Sequence, residues 1–142
     1  MKTFLTNEEE LSVVEELRKL ETRTSGEVRV ALTGKWIFRT ERHAWKMFHK
    51  LGMNQTVARN GALIVVIRRR RRFVVLGDVG ISAVVEPGYW EMIADTMSSH
   101  LKDGECLTAR IAGIRLLGET MATHWPPEES DRNDLSNEIA QE

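Results

Sequence analysis

Apolar residues at Leu11, Val14, Leu17 and Leu20 recur at helical spacing, with charged residues between them. Thr6 precedes them and Glu9 follows three positions later, a pairing that lets hydroxyl and carboxylate each bond the other's backbone amide. A helix is therefore predicted to start just after Thr6 and to end near Thr22, before the turn "TSGE". The period then changes from near four to two. In "EVRVALT", Val28, Val30 and Leu32 share one face, which predicts a strand whose other side is more exposed. Ala44, Met47, Phe48 and Leu51 make a second helical stripe over 41–51, and Gly52 supplies the left-handed residue that closes it. Asn60-Gly61 is a strong turn signal. Residues 62–67 and 73–76 are unbroken apolar, β-branched runs, so both are predicted as strands buried on both faces. After Pro87-Gly88, Trp90, Ile93, Met97 and Leu101 predict a third helix. After "KDGE", Leu107, Ile111, Ile114, Leu117, Met121 and Trp125 predict a fourth, stopped by Pro126-Pro127. Gly113 and Gly118 lie inside that last helix at about 1 kcal/mol each relative to Ala, which implies close packing on the sheet.

The order α-β-α-β-β-α-α predicts an α/β fold, a three-layer α/β/α sandwich around a small mixed sheet. One domain is expected over residues 1–127. Residues 128–142 form an acidic polar tail, in which Leu135 and Ile139 are spaced for a short docked helix or a mobile end.

Charge refines this picture. The net charge is −1, so no global field draws the chain to nucleic acid or anionic lipid. The tail holds six acids and one arginine, a net of −5, which leaves a body of +4. The single cysteine, Cys106, excludes an internal disulfide; it reads as a small residue near a helix start, with no local base to make it a nucleophile. His43, His49, His100 and His124 have no ligand spacing, and Trp36, Trp45, Trp90 and Trp125 are expected to be core or half-buried. The opening residues lack the apolar core of a signal peptide, and no run has the roughly 18 apolar residues of a membrane span, so a soluble, cytoplasmic protein is expected.

Standard catalytic motifs are missing: there is no GxSxG, phosphate-binding loop, HExxH or CxxC. Four features remain. Arg68, Arg69, Arg70, Arg71 and Arg72 fall where two strands must reverse direction. They form either a solvated hairpin tip or a patch for phosphate or an acidic partner. No recognition helix or interleaved aromatics accompany them, so nucleic acid is not expected. Asp78, in "GDVG" after a buried strand, either caps the next helix or serves a hard cation or a water. Glu27 at the mouth of the first strand is either an exposed strand-end acid or a second carboxylate converging on Asp78, provided the two strands are adjacent and point the same way. Asn60 belongs to the Asn-Gly turn or lends a carbonyl oxygen to the same site.

Taken together, "FLTNEEELSVVEELRKLETRTSGEVRV", "AWKMFHKLGMNQTVARNGALIVVI", "RRFVVLGDVGI" and "HLKDGECLTARIAGIRLLGETMATHWP" resemble the TPM domain, a family named for a thylakoid lumen protein, a photosystem repair protein and a nematode receptor modulator. The order "TSGE", "RNG", "GDxGI" carries the resemblance from about Phe4 to Ile139. It implies an α/β/α sandwich. It also implies one of several functions, since family members include acid phosphatases, calcium binders, accessory subunits and uncharacterised bacterial proteins. On this resemblance Glu27 and Asp78 are the motif acids, and a calcium or other divalent cation is the cofactor to test.

Two functional classes follow. One is a binding or accessory module that engages an unknown protein partner through the cleft and the arginine tip. The other is a metal-assisted acid phosphatase, in which Glu27 and Asp78 hold the cation and an arginine neutralises phosphate.

Overall fold

The computed structural model describes residues 5–128 and 139–142. Helix α1 spans Asn7–Glu21 and opens on the expected capping box, with Thr6 and Glu9 bonded reciprocally at 2.9 and 3.1 Å. Strand β1 (Glu27–Thr33) is followed by α2 (Thr40–Lys50), which Gly52 ends at φ +73°. A single 3₁₀ turn, Met53–Gln55, leads toward β2 (Gly61–Ile67). A second, Arg68–Arg70, leads to β3 (Arg72–Gly77). The short α3 (Val79–Ser82) precedes two long helices packed on each other, α4 (Tyr89–Lys102) and α5 (Cys106–His124). A two-residue strand, β4 (Ala140–Gln141), completes a sheet of order β3-β2-β1-β4.

The sheet is mixed. β2 and β4 run parallel to β1, and β3 runs antiparallel to β2. Pleat alternation sends Val28, Val30, Ala62, Ile64, Val66, Phe73 and Val75 to one face, where α1, α4 and α5 cover them. It sends Ala31, Leu63, Val65, Ile67, Val74 and Leu76 to the other, under α2 and Met53. This is the predicted three-layer arrangement, and it explains why β2 is apolar at every position.

Three expectations need correction. β1 is not half exposed: every residue but Arg29 is buried, and Ala31, on the face expected to be open, packs in the cluster that α2 covers. Gly113 and Gly118 do not serve the sheet. A Cβ on Gly113 would stand 2.5 Å from Met97 Sδ on α4, and one on Gly118 would stand 3.2 Å from Leu20 on α1, so both glycines seat neighbouring helices on α5. Trp36 is not core; it is 63% exposed. The helix expected around Leu135 falls outside the described residues, whereas residues 140–141 are extended and pair with Ala31 and Leu32.

One polar anchor had no signature in the pattern. Arg110, on the apolar side of α5, is fully buried and donates to Glu10 Oε1 on α1 at 2.5 Å.

Candidate functional site

Parallel pairing of β1 with β2, and the reversal into β3, bring Glu27, Asn60 and Asp78 to one end of the sheet. Glu27 pairs with Gly61, and the Asp78 amide donates to the Gly61 carbonyl at 2.9 Å, so the three positions form one row. The adjacency that convergence required is not met. β2 lies between the two strands, which spaces the Glu27 and Asp78 backbones by two strand separations, roughly 10 Å. The gap is occupied by backbone: a Cβ on Gly61 would lie 2.4 Å from the Met53 carbonyl oxygen.

Asp78 is the best-defined group here. It is 4% exposed and caps α3, accepting the Val79 amide on Oδ1 at 2.8 Å. Arg59 grips the same carboxylate from the other side, with Nε donating to Oδ2 at 2.5 Å and Nη2 to Oδ1 at 2.8 Å. These bonds and the carboxylate's charge raise the Arg59 guanidinium further above its ordinary value. Arg59 sits at φ +51°, a backbone state that costs an ordinary residue about 1 kcal/mol, and the fork onto Asp78 holds it there. Its carbonyl also accepts the Gly80 amide at 2.9 Å. The pattern "RNG" points to Asn60 and not to the arginine beside it, whose one signal in the sequence is a long cation immediately before the Asn-Gly turn.

Asn60 is buried, and its visible work is structural. Its amide donates to Thr56 Oγ1 at 3.0 Å, and its carbonyl accepts the Glu27 amide at 3.4 Å. Glu27 is buried at the start of β1 rather than exposed. Cys106 is the first residue of α5; burial pushes its thiol up, against the pull of Arg110, so it stays protonated near neutral pH.

The opposite end of the sheet carries the arginines. Thr33 and Ile67 pair at the ends of β1 and β2, so the 34–39 loop and the 68–71 turn leave side by side. Arg69 Nε donates to the Gly34 carbonyl at 2.7 Å, and its guanidinium lies 5.5 Å from the centre of the Trp36 ring. Arg70 Nη1 donates to the Ile37 carbonyl at 3.0 Å. Arg71 turns the chain at φ +49°. The hairpin tip is therefore also a stitched surface, with Arg69, Arg70, Arg71 and Arg72 exposed and Arg68 partly so. Aromatics do accompany the run, but they come from the other loop: Trp36 and Phe38, the latter 87% exposed. Periodicity could not find them, because the pairing that joins the loops is long-range.

A family model for the TPM domain matches residues 1–120. The chain belongs to the TPM domain family. Among solved structures, this TPM domain is similar to the BA42 protein of the psychrophilic bacterium Bizionia argentinensis, at 33% identity and a TM-score of 0.89, over 100% of this chain and 98% of that one. It shares its fold with the N-terminal domain of a protein from P. gingivalis, at 20% identity and a TM-score of 0.70, over 91% and 82% of the two chains. No curated protein matches it in sequence. Among the described residues, no helix is long and apolar enough to cross a membrane.

The cation implied by the family resemblance can be tested against this geometry. Among the described residues, no three of His, Cys, Asp and Glu stand where they could hold a metal ion. At Asp78 the guanidinium of Arg59 already occupies the position a cation would take, and both carboxylate oxygens are engaged. The residues present do not fit a resident cation at Asp78.

Proposed function

We propose that this TPM domain is an accessory binding module that presents its arginine turn to an anionic partner. The observation that supports this reading most is the engagement of Asp78 by Arg59 and the Val79 amide, which makes the motif acid that follows β3 a structural clamp. The exposed chemistry lies at the other end of the sheet. Loop 34–39 and residues 68–72 hold seven cations; Lys35 stands 3.6 Å from the Glu142 carboxylate, and Arg39, Arg69, Arg70, Arg71 and Arg72 are exposed. Guanidinium groups recognise phosphate and carboxylate through paired N–H donors.

The test is binding of the full chain to heparin, a soluble polyanion, followed at rising salt. Binding that weakens with salt, and weakens again in the double variant Arg71→Gln, Arg72→Gln, supports the module. The competing reading is a metal-assisted phosphomonoesterase. It would replace the module if metal-stripped protein showed a saturable, calcium- or magnesium-dependent thermal shift that Asp78→Asn abolished, together with turnover of an aryl phosphate.

A further inference from the structure

Resting on the binding-module reading, we infer that the anionic partner of the arginine turn is the surface of an acidic phospholipid membrane, which this end of the sheet contacts peripherally, with Phe38 and Trp36 entering the interfacial layer. Two properties of the surface point to lipid. The first is that cations and large apolar groups share it. Phe38 is 87% exposed and Trp36 63% exposed, two positions apart on a loop whose intervening residue, Ile37, is buried and anchors it. The arginines of the neighbouring turn flank them, and Arg69 bonds the loop directly. An acidic bilayer offers both complements in one place, a layer of anionic headgroups above an apolar layer, and aromatic rings favour that boundary. A free phosphate or a simple polyanion such as heparin answers only the charge.

The second property is how the Phe38 ring stands. A ring used as a stacking platform for a nucleobase lies against the protein and presents one face. A ring that is 87% exposed has little of either face covered. At 87% exposure it projects from the loop, as an inserting side chain does. The polar contacts on the loop also favour a fixed presentation: Arg69 to the Gly34 carbonyl and Arg70 to the Ile37 carbonyl hold the backbone on both sides of Trp36. Less ordering is then needed at the moment of contact.

The experiment uses the full chain and co-sedimentation with vesicles of phosphatidylcholine alone, or of phosphatidylcholine mixed with phosphatidylserine. Binding to the heparin and to a single-stranded oligothymidylate is measured beside it. The expected result is binding to the serine-containing vesicles only, with a blue shift of tryptophan emission that Trp36→Phe removes. Phe38→Ser should weaken vesicle binding by roughly tenfold or more, the effect of withdrawing one large apolar side chain from the interface, while leaving heparin binding unchanged. Arg71→Gln with Arg72→Gln should weaken both. Thermal melts of each variant confirm that it is folded. If the protein binds heparin or oligothymidylate but not acidic vesicles, or if Phe38→Ser sediments with vesicles as the parent does, the membrane inference is overturned and the anionic-partner reading stands. If no anionic probe binds, both are overturned.

Discussion

The two ends of the sheet use the same kind of residue for opposite purposes. At one end Arg59 closes on a buried carboxylate, and the surrounding backbone is so tight that glycines at 61 and 80 have carbonyl oxygens within 2.4 Å of where a Cβ would be. At the other, Arg39, Arg69, Arg70, Arg71 and Arg72 are exposed on neighbouring loops that also carry two exposed aromatic rings. An arginine whose charge is answered inside the molecule fixes the fold. One whose charge is left for solvent is available to something else. Motif acids at strand ends are easily taken for chemistry, but both carboxylate oxygens of Asp78 are already engaged by Arg59 and the Val79 amide.

This contrast makes the first end sensitive to substitution and the second tolerant. Gly61→Ala should have the largest effect, a loss of about 3 kcal/mol in urea denaturation, because its neighbour is a backbone carbonyl that cannot step aside. Asp78→Ala should cost about 2 kcal/mol, at the upper end of what a lost helix cap costs, since the turn through Arg59 loses its anchor as well.

An intermediate effect comes from Glu142, which lies beside the open end. Its carboxylate bonds His43 Nε2 at 2.7 Å and stands 3.6 Å from Lys35 Nζ. Burial works against its ionisation, but bonds from His43 and Thr33 and the charges of His43 and Lys35 outweigh it, holding the carboxyl below its ordinary 4.5. A depressed carboxylate stabilises fully above its unfolded value, and that contribution is lost as pH falls through the lower folded value. Thermal melts across that acid range should therefore separate parent from Glu142→Gln by less than about 1 kcal/mol, with the gap closing at the acid end. The smallest effect should be that of Arg71→Gln with Arg72→Gln, within about 0.5 kcal/mol of the parent. If that double variant destabilises as much as Asp78→Ala, the open end is structural too and the contrast is broken.

What the sequence made legible was local. The capping box of α1, the left-handed Gly52 and the doubly buried β2 each depend on neighbours within a few positions, and each could be read in advance. The errors all involve long-range partners. Whether the second face of β1 is covered depends on α2; which helix Gly113 meets depends on α4; and the exposure of Trp36 depends on how a loop leaves the sheet. The site was half legible for the same reason. The resemblance marked Glu27, Asn60 and Asp78, and the fold does gather them at one end, but the strand order that separates the two acids, and the arginine that claims one of them, are properties of topology.

The pairing of β4 with β1 has a kinetic meaning. The bond between His43 and Glu142 spans 99 positions of the chain, so closing it requires ordering a long loop for the return of two short strand residues and one ion pair. So small a return predicts that this pairing forms late, after the other three strands and their helices have assembled. This last strand is thus a latch rather than a nucleus. Removing residues 140–142 should leave the refolding rate nearly unchanged while the unfolding rate rises, so the chain's far end governs how long the folded protein lasts, and its middle governs how fast it arises.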